Sequence, residues 1–393
     1  MDKCQGLRSI ALLFLNNEIT FMEKTAKVAL AAIVLVALAG GLWVAYGGSK
    51  GENGPIVVGF IAPLTGDVAS IGTVARSATE LAVAEVNAAG GINGRQLNVI
   101  YEDGQCSAAP ANNAASKLMN VDKVTAILGG TCSSETSAFA PAAMLNKTVV
   151  LSYCSSAPSL SKTGKYFFRN YPSDLLEGKI TAEYAYNVLG VREIYIMYHV
   201  SDWGTGLKDV FTKRFTELGG KVTGAEGAPQ ESRDYRTALG KIKASGTKFV
   251  YAPLYTEGSI VAMKQAKELG LTAQMIGGDT WDDPKFQESV KNLGTFIYPK
   301  INTPSTPQFE AKLLAATGGK EVPICAAQAY DAVHILANAL AKAGENGDAL
   351  AQTLRTTNYD GVSGHVEFDA NGDVKGGSYS IRKIQKGSAE TIN

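Results

Sequence analysis

The sequence predicts an α/β protein built on parallel sheets, with its strands and helices in two consecutive sets. Short apolar runs alternate with stretches of helical periodicity from Ile56 onward, and the alternation restarts at Glu193. Such alternation places helices on both faces of a mostly parallel sheet, with right-handed crossovers. A chain of 393 residues is also too long for one typical core, so the two sets read as two domains.

The first strand is Ile56-Val57-Val58-Gly59-Phe60-Ile61, an unbroken apolar run of the kind that is buried on both faces. After it, Ala78, Leu81, Ala82 and Val86 recur at helical spacing until Gly90-Gly91 stops the helix. Residues 97–101, 124–128 and 149–151 are further strands, separated by helical stretches around 114–119 and 137–145. The second set opens with a strand at 193–198. A helix carrying Val210, Phe211, Arg214, Phe215 and Leu218 follows, Gly219-Gly220 ends it, and strands at 248–251 and 274–276 continue the sheet.

Ahead of Ile56 the pattern changes. Met22-Glu23-Lys24-Thr25-Ala26-Lys27 leads into residues 28–46, VALAAIVLVALAGGLWVAY, which carry no charge. As a helix this run spans roughly 28 Å, about the hydrocarbon core of a bilayer. Lysines ahead of an apolar stretch also match a signal peptide, with small residues for cleavage at Ala39-Gly40-Gly41. Residues 1–54 are therefore expected to be a leader, either cleaved or kept as a membrane anchor, with a glycine-rich linker running up to Pro55. Met22 offers a second start, and no cysteine follows the apolar run to take a lipid. In either case the bulk of the chain is expected to be exported, to the periplasm or the exterior.

Composition excludes several classes. Lys plus Arg and Asp plus Glu both total 37, so no basic footprint for nucleic acid exists. Hydrophobic residues at 45% are too many for a disordered chain.

Ligands of open parallel sheets sit beyond the carboxyl ends of the strands. The residues there are Pro63-Leu64-Thr65-Gly66, Gly129-Gly130-Thr131-Cys132-Ser133 and Ser152-Tyr153-Cys154-Ser155-Ser156 in the first set. The second set adds His199-Val200-Ser201-Asp202-Trp203-Gly204, Leu254-Tyr255-Thr256-Glu257-Gly258 and Gly277-Gly278-Asp279-Thr280-Trp281. One set offers hydroxyls and backbone N–H groups, the other aromatics and an acid. That asymmetry suits a zwitterion with an apolar body held between two jaws.

Enzyme chemistry fits less well. Of the three histidines, His199, His334 and His365, none stands at metal-ligand spacing with another His or Cys, so no metal or cofactor is expected. Thr131-Cys132-Ser133-Ser134 is not the G-x-S-x-G of a nucleophile elbow. A secreted hydrolase using Ser133 or Cys132 would need a base such as His199. No dinucleotide fingerprint or P-loop is present. Asp369-Ala370-Asn371-Gly372-Asp373 looks like the start of a calcium loop, but Ser380 stands where Glu is required. A hairpin turn joining Val366-Glu367-Phe368 to Tyr379-Ser380-Ile381 explains it better.

Of the five cysteines, Cys4 precedes the leader, while Cys106 and Cys132 follow neighbouring strand ends. Both sit on one rim, and export permits a bond between them. Closing a loop of about 25 residues would stabilise by roughly 3 kcal/mol. Cys154 and Cys325 remain, either as a second pair or as two buried thiols.

These rim motifs, taken in order, resemble the leucine/isoleucine/valine-binding protein family, the type I periplasmic solute-binding proteins of ABC importers. The resemblance runs from about Ile56 to Arg382 and rests on IAPLTGDVASIG (61–72), NAAGGINGRQL (87–97), YEDGQC (101–106), GGTCSSET (129–136) and FDANGDVKG (368–376). It implies two Rossmann-like lobes, a Venus flytrap, joined by a three-strand hinge. On the sequence the lobes are expected at 55–171 with 301–363, and at 172–300 with 364–393. The implied ligand is an amino acid and the implied partners are the permease subunits, with a flytrap sensor feeding a signalling partner as the alternative. Ser133 matches the serine that binds the α-carboxylate, with Thr131 and Cys132 beside it in the ligand site. Ser155 and Ser156 match a pair that receives ammonium and carboxylate, and Asp279 matches an acid that pairs with the ammonium. Tyr255 matches a second-lobe tyrosine, Trp203 replaces another, and Ile71 stands where an aromatic often packs on the ligand. Cys106 and Cys132 match the family's disulfide. The departures at Ile71, Trp203 and Asp279 leave leucine itself unassigned.

Overall fold

The computed structural model describes residues 54–319 and 321–392. The expected leader or anchor, with nearly all of its linker, lies outside the described residues. Among the described residues no helix is long and apolar enough to cross a membrane.

The first sheet contains β1 (Ile56–Ala62), β2 (Leu97–Asp103), β3 (Ala126–Gly129), β4 (Val149–Ser152) and β5 (Phe167–Arg169). Its order is β2-β1-β3-β4-β5 and every pairing is parallel. Helices α1 (Ala69–Ala88), α2 (Ala108–Asn120) and α3 (Ser133–Asn146) connect the strands. The inner strands β3 and β4 are buried at every residue, which is why they read as plain apolar runs.

After α4 (Asp174–Glu183) the chain builds a second sheet from β6 (Glu193–His199), β7 (Lys221–Ala228), β8 (Phe249–Ala252), β9 (Gln274–Gly277) and β10 (Thr295–Ile301). Helices α5 (Asp202–Glu217), α6 (Arg236–Ser245), α7 (Thr256–Glu268) and α8 (Pro284–Val290) lie between these strands. The chain then forms α9 (Pro307–Thr317), α10 (Ala326–Ala343), α11 (Gly347–Leu354) and the short pair β11 (Asn358–Gly361) and β12 (Gly364–Glu367). Ala329, Val333, Leu336 and Leu340 form the buried stripe of α10, which packs on α1. Finally β13 (Tyr379–Gln385) and β14 (Ser388–Thr391) return antiparallel to the second sheet, whose order is β14-β13-β10-β9-β8-β6-β7.

The turn at 369–373 is a hairpin turn, with the Asp369 N–H donating to the Asp373 carbonyl at 2.8 Å and Phe368 bridging Val374 antiparallel. One expectation needs correction: the turn does not join the two strands expected around it, because Val366 pairs with Tyr359 and Tyr379 pairs with Ile301. β12 pairs locally with β11, and Asp373 is tied to Arg169 at the end of β5.

Candidate ligand site

The first wall is the turn between β3 and α3. Gly129 has φ +127°, and a Cβ there would meet the Ile61 carbonyl oxygen at 2.3 Å, so only glycine fits this turn. Beneath it Glu135 is fully buried and accepts the backbone N–H groups of Cys106 (3.0 Å), Thr131 (3.0 Å) and Cys132 (2.9 Å). Burial pushes its pKa up to about 7, although those three donors pull the other way. Cys132 is bonded to Cys106, with their Cα atoms 5.2 Å apart, so it is not a free nucleophile. The Thr131 hydroxyl lies 2.6 Å from that of Tyr153.

Ser133 is the first residue of α3. Its Oγ accepts the N–H groups of Ser156 (3.2 Å) and Ala157 (3.1 Å), which leaves its own proton to donate. The first N–H groups of a helix have no intrahelical acceptor, and its dipole favours an anion there. A carboxylate is the natural complement of this wall.

The second wall comes from the strand ends of the other sheet. Trp203 and Tyr255 stack with ring centroids 4.7 Å apart and planes at 20°. The Tyr255 N–H donates to His199 Nδ1 at 3.1 Å, and His199 Nε2 lies 2.8 Å from the Tyr235 hydroxyl. Burial drives the His199 pKa down to about 3, so this imidazole is neutral and both its nitrogens are engaged. It cannot serve Ser133 as a base, which removes the hydrolase arrangement. Asp279 accepts the Tyr171 hydroxyl at 2.7 Å, and its own N–H donates to Glu177 Oε1 at 3.1 Å. Burial raises its pKa to about 6.

One small cavity of about 30 Å³ gathers these groups. Thr131, Cys132, Ser133, Ser156, Trp203, Tyr255, Asp279 and Ile71 all line it. Ser155 does not: its hydroxyl donates to the Gly130 carbonyl at 2.8 Å and lies 2.7 Å from the Thr136 hydroxyl. Its neighbour Cys154 faces the cavity instead and is bonded to Cys325, their Cα atoms 5.3 Å apart. The question of those two thiols is thereby resolved as a second disulfide. At the margins the two walls touch. Ser70 Oγ donates to Asp283 at 2.7 Å, the Asp202 N–H donates to Ser134 Oγ at 3.2 Å, and Arg233 pairs with Asp67.

Residues 55–389 match the family described as periplasmic binding protein. The chain belongs to that family. Among its relatives is the leucine-, isoleucine-, valine-, threonine- and alanine-binding protein of Pseudomonas aeruginosa, 26% identical over 86% of this chain and 91% of the relative. Among solved structures, a leucine-binding protein from Thermotoga maritima superposes with a TM-score of 0.79 at 26% identity, covering 86% of this chain and 98% of that one. A branched-chain amino acid transporter substrate-binding protein from Streptococcus pneumoniae, solved with isoleucine, gives 0.75 at 25% identity, covering 86% and 99%. Members of this family are solute receptors, not enzymes, and they act outside the cytoplasm. The two-lobed α/β fold expected from the rim motifs is the fold of this periplasmic binding protein.

Val68, Cys154, Tyr171, Thr280 and Ile324 complete the cavity lining of this periplasmic binding protein. Val68, Cys154 and Thr280 fall in the rim segments already read, whereas Tyr171 and Ile324 carry no signal in the sequence alone. Behind Asp279, Asp174 and Glu177 are fully buried, yet in the sequence they read as ordinary acids in the first turn of α4.

Proposed function

We propose that this protein is the extracytoplasmic receptor of an ABC importer, and that its ligand is an amino acid with a small aliphatic side chain. One observation carries the reading: Ser133 and Asp279 line the same small cavity from opposite walls. A helix N-terminus with a serine hydroxyl complements an α-carboxylate, and a buried aspartate complements an α-ammonium. Ile71, Val68 and Ile324 leave apolar surface for the side chain. The named ligands of these relatives are amino acids, aliphatic apart from threonine.

The proposed mechanism is closure of two lobes, with the ligand favouring the closed form because it contacts both walls. Permease subunits would then receive the loaded, closed form. A cleaved leader would leave the receptor free, and a retained one at residues 28–46 would hold it beside its permease.

The test is a thermal-shift screen of the common amino acids, since a solute that binds only the folded state raises Tm. Branched-chain amino acids are expected to give the largest rise, and Ser133→Ala to abolish most of it; the empty variant should itself melt somewhat lower, because Ser133 Oγ also accepts the N–H groups of Ser156 and Ala157. A screen in which no amino acid moves Tm would sink the reading.

A further inference from the structure

We propose that Asp174, Glu177 and Asp279 act as one acid cluster that takes up the ligand's ammonium group and releases a proton as it does so. The inference rests on the amino-acid reading and deepens it.

Asp279 lines the cavity, and the Glu177 carboxyl lies against it, accepting its N–H at 3.1 Å. Asp174 sits one helical turn before Glu177 on α4. Asp174 and Glu177 are 0% exposed and Asp279 is 3% exposed. Oε2 of Glu177 and both oxygens of Asp174 lack a well-placed donor, the Ser156 side chain being the one hydrogen-bonding group near Asp174. The buried hydroxyls of Tyr251 on β8 and Tyr379 on β13 lie near the same acids, Tyr379 turned toward Tyr171. The carboxyl oxygens still outnumber the donors offered to them, and buried polar groups ordinarily find partners.

Among the described residues no cation meets that demand. Arg169 faces Asp174, but its guanidinium is committed to Asp373 (2.6 Å), the Ala157 carbonyl (2.9 Å) and the Ser161 hydroxyl (2.9 Å). Asp282 adds negative charge near Asp279 and is itself held by Lys300 and Arg382. The Tyr171 hydroxyl supplies one donor to Asp279. Among the described residues no group of side chains has metal-holding geometry. Adjacent buried carboxylates cannot all ionise, so the empty cluster must keep at least one proton. Burial, reinforced by the charge of Asp279, holds Asp174 and Glu177 well above the carboxylate range.

An incoming –NH3+ keeps its own three protons and brings the missing positive charge. It favours the ionised cluster, and a carboxyl proton shared by Glu177 and Asp279 passes to solvent. Glu177 and Asp174 are positioning residues here, acting through Asp279. They would also reject a solute that has the carboxylate but lacks the ammonium.

The experiment is calorimetry of L-leucine, or of whichever amino acid raises Tm most, in two buffers of different ionisation enthalpy near neutral pH. The wild-type protein is expected to release about one proton per ligand. Glu177→Gln should bring that to near zero while changing affinity by less than about tenfold, and should move the low-pH loss of affinity downward. Asp174→Asn is the second variant and should also reduce the release. 4-Methylpentanoate, which is leucine without its ammonium, should not bind the wild-type protein. Equal heats in both buffers for the wild type, or unchanged proton release in both variants, would overturn the proposal. Failure of the amino-acid reading shows separately, as no binding of any amino acid.

Discussion

Each wall of the cavity buries carboxyl groups, and the two walls treat them in opposite ways. Glu135, under the first wall, accepts three backbone N–H groups and holds the turn that presents Ser133. Asp174 and Glu177, behind the second, leave three oxygens without a well-placed donor, with only the Ser156 side chain near Asp174. The first acid is satisfied by the fold, and the other two are not. On the amino-acid reading proposed above, one jaw is finished before any ligand arrives, while the other would be completed by it. With closure as the proposed mechanism, this would put the ligand-dependent energy on the second wall.

The largest expected effect falls on that second wall. Asp279→Asn keeps the shape and removes the charge proposed to meet the ammonium, which would strand a buried cation in the complex. Breaking such a pair costs about 3–5 kcal/mol, so affinity for the amino acid should fall by at least about 100-fold. The empty protein should unfold at the same temperature or higher, because a like charge leaves the cluster. If calorimetry shows wild-type affinity in Asp279→Asn, the contrast between the walls is wrong.

Glu135→Ala tests the first wall and should behave in the reverse way. It strands three buried N–H groups, each worth about 1–3 kcal/mol, so stability should drop by about 3 kcal/mol or more and Tm by roughly 5–10 °C. The pH profile separates the walls further. Burial raises the pKa of Glu135 to about 7 and that of Asp279 to about 6, both above the values of the unfolded chain. A carboxyl raised in this way stabilises the fold fully below its unfolded pKa and loses that contribution as pH rises through the folded one. The Tm of the empty protein should therefore begin to fall near about pH 4 and keep falling through about pH 7 in scanning calorimetry, with Asp174 and Glu177, held higher still, extending the slope. Saturating amino acid should remove the Asp279 part of the slope and leave that of Glu135. A slope that ligand does not touch would place the titrating acid on the first wall alone.

The same division explains what could be read from the sequence. β1, β3 and β4 are legible as apolar runs because they lie inside a parallel sheet. β7, KVTGAEGA, is not, because an edge strand with alternating exposure and interspersed glycine carries little apolar signal. The first wall is legible since its chemistry is local, with Gly129 through Glu135 forming one continuous turn and helix start. Facing within the loop after β4 is not, since no strand alternation orders Cys154, Ser155 and Ser156, and the serine next to the one that faces the cavity turns away. The second disulfide joins residues 171 positions apart, and the acid cluster assembles from α4 and the turn after β9. No local spacing foretells either.

The smallest expected effect is at the rim. Arg233 of the second wall pairs with Asp67 of the first, and its side chain is 54% exposed. An exposed pair of this kind is worth about 0.2–1 kcal/mol. Arg233→Ala should thus weaken amino-acid binding by no more than about fivefold, and the difference from wild type should shrink as salt is raised. If the comparison between the walls is right, titrations of this variant at low and high salt will converge on nearly the same affinity. A loss of about 100-fold that persists at high salt would mean that closure is held at the rim, and that the acid cluster behind Asp279 contributes little to it.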